Sequence, residues 1–303
     1  VWISDTQNTA GTVGNQDIEV IYYYLKNTKV TVNYIDKISG EYMGVLEHEG
    51  VVTEKFTSIS NNYVGYLLVE KPENETVIMD ENEIILNYYY EPVSSGVIEK
   101  HINIYTNEII ENKLHEGEEG EYYTTSLKEF EEYEIITNQY YYEKYLEENP
   151  EYLEENNVTS IEELLVKLNL NPEENYIPNN QEGTITTDVI EVTYYYRYYS
   201  SVIVEYIDKL TGEKLLEKDQ DDSTETIKGY EGDLYKTEEK IFEDYELISE
   251  PKNKEGTMTK DVIYVKYYYE KNIGKITEKH IDIYTGEILG EDEYIKIKDS
   301  SYS

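Results

Sequence analysis

Four histidines, His48, His101, His115 and His280, are the side chains of this sequence best suited to move a proton near neutral pH. A hydrolytic triad needs such a base. His101 and His280, however, fill a place that related segments give to Tyr34 and Tyr206, so they read as strand residues. No pair falls in an H-x-x-x-H spacing, and without cysteine the chain has no thiolate metal site, disulfide or cysteine nucleophile. Gly117-x-x-Gly120 is too short to cradle phosphate and no Lys-Ser/Thr follows it. Paired carboxylates could serve as acid and base, but among 65 acidic residues any one pair is uninformative. Asp219, Asp221, Asp222 and Glu225 could gather oxygen ligands around Ca²⁺. They lack the Asp-x-Asp-x-Asp-Gly order of an EF-hand, and a solvated loop is the expectation there. No enzyme, cofactor or metal site is expected.

Composition narrows the partners. Lys and Arg number 26 against those 65 acids, a net charge of −39. Such a surface repels phosphate backbones and anionic headgroups, which disfavours nucleic acid and membrane partners. It also repels sialylated or sulfated glycans at long range, although salt cuts that range to about 8–10 Å. The 303 residues include 36 Tyr, 3 Phe and 1 Trp. A tyrosine can bury its ring and leave its hydroxyl in water, which suits thin β-rich modules and argues against disorder. No run of 18 apolar residues exists, so no membrane insertion is expected within the chain. Val1-Trp2-Ile3-Ser4-Asp5 is no secretion signal; the chain reads as a segment whose signal and anchor lie outside it.

The elements that hold these residues repeat. An opening run, Tyr34-Ile35-Asp36-Lys37-Ile38-Ser39-Gly40-Glu41, recurs from His101, Tyr206 and His280, at spacings of 67, 105 and 74 residues. Asp or Asn followed by Ser/Thr-Gly predicts a β-hairpin turn. Asn103 stands where Asp36, Asp208 and Asp282 stand elsewhere, which argues against a ligand role for those carboxylates. A Gly-x-x-Gly bend follows at Gly117 and Gly229, with Thr53 replacing the second glycine in the first copy. Each unit ends in a β-branched run and a tyrosine triplet beginning at Tyr22, Tyr88, Tyr194 or Tyr267. Gly11, Gly183 and Gly256 precede their triplets by eleven residues, and Val77 takes that place in the first full unit. The alternation Ile190-Glu191-Val192-Thr193-Tyr194 predicts a half-buried strand.

The second unit carries about 39 extra residues between Tyr133 and Gly183. Ser160-Ile161-Glu162-Glu163 has capping-box form, and Ile161, Leu164, Leu165 and Leu168 share a helical face that ends at Asn171-Pro172. Upstream, a shorter helix or pair of turns is expected from Tyr145 to Glu155, broken at Asn149-Pro150. A fifth triplet, Tyr140-Tyr141-Tyr142, enters this insertion. Two roles are open to the insertion: a helical cap on its own module, or a specialised binding element.

The runs V-x-V-x-Y-I-D at Val30–Asp36 and Val202–Asp208, Gly-x-x-Gly-x-x-Tyr, Gly65-Tyr66-Leu67-Leu68-Val69 and the terminal V-x-Y-x-Y strand resemble the MucBP (mucin-binding protein) domains of Gram-positive surface proteins. That resemblance implies tandem ubiquitin-like β-grasp modules, mainly β within an α+β class. It also implies secretion, cell-wall attachment and adhesion to host mucin or another glycoprotein. The expected organisation is the end of a preceding repeat (1–26), then repeats at 27–93, 94–198 (insertion about 140–178) and 199–271, and the start of a further repeat at 272–303. Short linkers favour a stiff, elongated, monomeric array, and hence the alternative of a stalk that projects another domain. No ligand-binding residue is nominated, because nothing in the sequence separates exposed from buried tyrosines.

Overall fold

The structure, a computed structural model, describes residues 2–3, 23–215 and 224–297. The chain forms two compact units, Val1–Arg197 and Tyr198–Ser303. In the first, β1 (Trp2–Ile3) and β2 (Tyr23–Tyr24) make a short antiparallel ribbon. A full repeat follows: β3 (Asn27–Asp36), β4 (Tyr42–Val51), β5 (Lys55–Thr57), β6 (Tyr66–Glu70), β7 (Thr76–Ile78) and β8 (Ile84–Pro92). Its sheet runs β4-β3-β8-β6, with β3 and β8 parallel and the outer pairs antiparallel. First and last strands side by side and parallel is the β-grasp order. The crossover that covers this sheet carries a two-stranded ribbon of β5 and β7 in place of a helix.

The next repeat has β9 (Val97–Asn103), β10 (Ile109–His115), β11 (Tyr122–Thr124), β12 (Tyr133–Ile135), three helices, β13 (Glu182–Thr184) and the opening part of β14 (Ile190–Asp208). Residues 190–196 pair in parallel with β9. In the second unit, residues 199–208 of β14 pair antiparallel with β15 (Thr224–Tyr230) and parallel with β19 (Ile263–Lys271). β17 (Tyr245–Ser249) flanks β19, and β16 (Leu234–Lys236) pairs with β18 (Glu255–Thr257). A last hairpin joins β20 (Ile273–Ile281) to β21 (Ile288–Ile297). The architecture is mainly β, and among the described residues helix is confined to the insertion.

The tyrosine triplets sit in the parallel last strands, where alternation sends the first and third rings inward and the second outward. Tyr88, Tyr90, Tyr194, Tyr196, Tyr267 and Tyr269 are all buried. Their hydroxyls do not reach water as the composition suggested. Each is met by the crossover, because a buried hydroxyl without a partner costs more than the ring gains. The first tyrosine bonds a buried hydroxyl: Tyr88 to Ser58, Tyr194 to Thr125 and Tyr267 to Thr237, each at 2.9 Å. The third donates to a crossover carbonyl: Tyr90 to Asn61 at 2.8 Å, Tyr196 to Lys128 at 3.0 Å and Tyr269 to Lys240 at 2.8 Å. The same residue's N–H returns to the hydroxyl in all three cases.

A buried hydroxyl bonded to both backbone groups of one crossover residue is expected to matter more than its outward neighbour. Tyr269→Phe should lower the stability of the second unit by about 1–3 kcal/mol, the cost of leaving buried polar groups unmet. Tyr268→Phe should change it by less than about 0.5 kcal/mol, as surface changes do. Urea unfolding of the two variants tests the difference.

Candidate functional site

The hairpin turns are organised by the repeated acids Asp36, Asp208 and Asp282. Asp36 Oδ1 accepts from the N–H groups of Ile38 (2.8 Å) and Ser39 (3.0 Å). Asp208 does the same for Leu210 and Thr211, and Asp282 for Tyr284 and Thr285. At Asn103 the Tyr105 N–H donates to the amide Oδ1 at 3.0 Å. Gly40, Gly212 and Gly286 close the turns at φ near +75°, and Asn107 does so at +61°. The Ser39 and Ile38 amides hold the Asp36 carboxyl below the usual carboxylate range. At Asp208 burial pushes upward, but the amides of Leu210 and Thr211 prevail and its carboxyl too lies low. These acids are turn clips, and the asparagine at position 103 works because an amide oxygen can take the same N–H.

What the turns present outward is apolar. Ile38 is 73% exposed, Tyr105 52%, Leu210 93% and Tyr284 96%. Each stands two residues after the turn acid or amide, so four hairpins offer a large apolar side chain at one equivalent tip. Tyr42, Tyr122, Tyr199 and Tyr264 are further exposed rings, on strands.

In the insertion α1 (Asn138–Glu148), α2 (Tyr152–Glu155) and α3 (Ile161–Lys167) pack around buried Tyr142, Leu164 and Leu165. Thr137 and Ser160 cap α1 and α3 through their hydroxyls. The first helix begins seven residues before the expected Tyr145, because Thr137 starts it and the triplet Tyr140–Tyr142 is helical. Those tyrosines face their own module. Tyr141 stacks on Tyr176 at 3.6 Å and leans toward Tyr195, the outward ring of the second repeat's triplet, at 5.6 Å. Arg197 lies 4.5 Å over Tyr140. Burial beneath this cap pushes the Tyr195 hydroxyl up to about 12. An antiparallel bridge between Thr137 and Asn175 draws the two ends of the insertion together.

Of the histidines, His48 lies on β4 against Phe56 (4.7 Å) and Glu54 (2.9 Å). His101 is buried in β9, and His280 meets Glu278 at 3.2 Å on β20. Asp219, Asp221 and Asp222 lie outside the described residues. Glu225, on β15, meets the Tyr206 hydroxyl at 3.4 Å. Among the described residues no group of three or more His, Asp or Glu could hold a metal, and no helix is long and apolar enough to cross a membrane.

One polar site was missed from sequence. Lys100, with no exposed side-chain surface, donates to Asn62 Oδ1 (2.7 Å), the Tyr63 carbonyl (2.9 Å) and Glu191 Oε1 (2.9 Å). Glu191 also accepts from the Gly65 N–H at 2.7 Å. Nearby, Asn112 pairs both ways with the backbone of Leu68, closing the open edge of β6. Ser60 does likewise with Ile109, whose side chain enters the core of the preceding repeat. These contacts dock the repeat starting at β9 onto the one starting at β3. The available signal was the tripeptide Glu99-Lys100-His101, repeated at Glu278-Lys279-His280, where the other two repeats have Val32-Asn33-Tyr34 and Val204-Glu205-Tyr206.

Residues 29–91, 97–197 and 201–270 each match the MucBP domain. The chain belongs to the MucBP domain family. On that membership it is a cell-surface repeat protein. It is 28% identical over 278 residues to Internalin J of Listeria monocytogenes serovar 1/2a (strain ATCC BAA-679 / EGD-e), covering 88% of this chain and 27% of that protein. Internalin J of serotype 4b (strain F2365) is 26% identical over 256 residues, covering 82% and 23%. The chain thus spans about a quarter of the length of these relatives. Among solved structures, a crystal structure of Mub-RV is 11% identical with a TM-score of 0.19, covering 80% of this chain and 98% of its own. The Bacillus anthracis TIE protein is 7% identical with a TM-score of 0.20, covering 83% and 52%.

The buried lysine gives this MucBP pair a testable joint. Burial lowers the Lys100 pKa, against which Glu191 pulls upward, so the ammonium is held by its three acceptors. Lys100→Met should cost roughly 3 kcal/mol, the lower end for breaking a buried pair, since Glu191 keeps 21% of its side chain exposed. The exposed Lys113→Met change should be nearly silent. Guanidinium unfolding monitored by hydrogen exchange should show residues 27–93 and 97–197 opening together in the parent chain and separately in Lys100→Met.

Proposed function

We propose that this chain is a non-enzymatic extracellular segment of a Gram-positive adhesin, secreted and attached to the cell wall, that binds host mucin or another glycoprotein. Family membership over most of the chain carries the reading. The repeats are taken to run over 27–93, 94–198 and 199–271, which puts one hairpin tip in each. Tip rings Tyr105 and Tyr284 suit this role because an exposed tyrosine offers a flat apolar face with a polar edge, the shape that stacks on a sugar ring. A net charge of −39 favours neutral glycans over sialylated or sulfated ones at low salt.

A glycan array and a mucin pull-down with the full chain should show binding that falls at least several-fold in Tyr105→Ala/Tyr284→Ala. Retention of anionic glycans should rise as salt is raised from about 10 mM to 150 mM, where the screening length shortens to about 8 Å. No binding above a scrambled-sequence control would remove the adhesin reading. The second reading is a stalk that projects another domain, and the docking of the β9 repeat onto the β3 repeat favours it.

The insertion separates two further outcomes. Removing residues 138–174 and rejoining across the Thr137–Asn175 bridge should leave the sheet of the second repeat folded, because Tyr176 still covers Tyr195. If binding is lost while circular dichroism and hydrogen exchange of β9 and β14 are unchanged, the insertion is the binding element. If binding persists, the tips are left as the contact surface.

A further inference from the structure

The core of the second repeat holds charge where its sister repeats hold none. Glu99 and His101 are 2% and 1% exposed, at positions that bury Val32 and Tyr34 in the first repeat and Val204 and Tyr206 in the third. The imidazole keeps the tyrosine's packing. His101 stacks on Tyr194 at 5.2 Å, as Tyr34 stacks on Tyr88 at 5.6 Å and Tyr206 on Tyr267 at 5.5 Å. Its nitrogens add new bonds. Glu99 Oε1 meets His101 Nε2 at 3.2 Å, Oε2 meets His115 Nε2 at 2.6 Å, and the Ser126 N–H reaches Oε1 at 3.4 Å.

An ionised carboxylate only accepts, so both rings carry their proton on Nε2 when neutral. His101 Nδ1 is then an acceptor, 2.8 Å from the Tyr196 hydroxyl. That hydroxyl has one proton and two acceptors, since the Lys128 carbonyl lies 3.0 Å away. In the sister repeats the equivalent hydroxyls of Tyr90 and Tyr269 serve the crossover carbonyl with no imidazole in competition. Protonating His101 would make Nδ1 a donor to that hydroxyl and leave its proton to the Lys128 carbonyl, so what opposes protonation is burial of the added charge and not the crossover bond.

We propose that Glu99, His101, His115 and Tyr196 form a proton-sensitive latch in the second repeat, closed at neutral pH and weakened by mild acid. The groups around His101 are Glu99 on its own strand, Glu111 on β10, Lys128 from the crossover, and Tyr194 and Tyr196 on β14, while His115 on β10 and the Ser126 N–H bond its partner Glu99. Phe130, edge-on at 5.5 Å, adds an uncharged wall. Burial depresses the His101 pKa; Lys128 acts in the same sense, and Glu99 and Glu111 oppose without reversing it. Burial pushes Glu99 upward, but its bonds from His115, His101 and Ser126 prevail and keep it ionised. As pH falls through about 6.5, the unfolded chain takes up a proton at residue 101 that the folded repeat refuses, so stability is lost on acidification and fully present above that pH. The Glu99 contribution is lost only lower, below the ordinary carboxylate range.

The full chain, followed by hydrogen exchange with intrinsic rates corrected, tests this directly. Between pH 7.5 and 5.5, protection of peptides covering 97–115 and 190–196 should fall by up to about tenfold per pH unit below 6.5, the limit for one proton. Peptides covering 245–249 and 263–269, in the second unit, should not follow. Glu99→Val/His101→Tyr, which installs the sister pair, should keep neutral-pH protection and lose the pH dependence. Unchanged pH dependence in that variant overturns the latch, as does equal loss of protection in the second unit. Should the variant fail to fold, the imidazole resonances of the parent chain decide: a His101 titration midpoint at or above 6.5 overturns the proposal.

Discussion

A tyrosine ring can be buried only where its hydroxyl is met, and in each repeat that requirement fastens the crossover to the sheet. The parallel last strand sends two tyrosines inward. One takes a Ser or Thr hydroxyl, and the other takes both backbone groups of a single crossover residue. Such bonds need the crossover in one place, and in the first and third repeats they specify its path with no helix among the described residues to do so. Phenylalanine would supply the same apolar area without saying where the covering chain must run. The inward tyrosines of the triplets are thus a structural requirement more than a wet-surface compromise.

The same logic explains a substitution that looked arbitrary. Tyr123 pairs across its ribbon with Gly183, and Tyr235 with Gly256. A Cβ at either glycine would sit 3.2 Å from the tyrosine hydroxyl, which itself donates to the carbonyl of Asn180 or Asn253. In the first repeat the ring is Phe56 and the partner Val77. Without a hydroxyl to accommodate, a β-branched side chain fits. Glycine at that landmark is therefore conditional on tyrosine across the ribbon.

Much of this was legible in the sequence because spacing survives where residue identity drifts. The opening hairpins, the terminal strands and the capped helix at Ser160 all follow from periodicity and turn chemistry. The depth of the tyrosines was not legible, since burial of a hydroxyl depends on a distant acceptor, 29 residues earlier for Tyr90 (Asn61) and 68 earlier for Tyr196 (Lys128). The start of α1 was missed because a tyrosine triplet elsewhere marks a strand, although this one lacks the preceding β-branched run and follows the Thr137 cap. The exposed tips could have been foreseen only by noticing that Ile38, Tyr105, Leu210 and Tyr284 share a register. No candidate site could be scored from spacing, because the acids at these turns are consumed by their own backbone.

The second repeat shows how few residues separate a generic module from a specialised one. Neighbours on a strand face opposite sides. In Glu99-Lys100-His101 the outer two therefore enter the core while the middle one leaves through the other face and reaches Asn62, Tyr63 and Glu191. One tripeptide thus sets the polarity of the core and the joint to the preceding repeat together. Buried charge adds little net stability when it replaces a well-packed apolar pair. Its retention here is better explained by what an apolar pair cannot supply: a directional bond to one partner on one face, and a titratable group on the other.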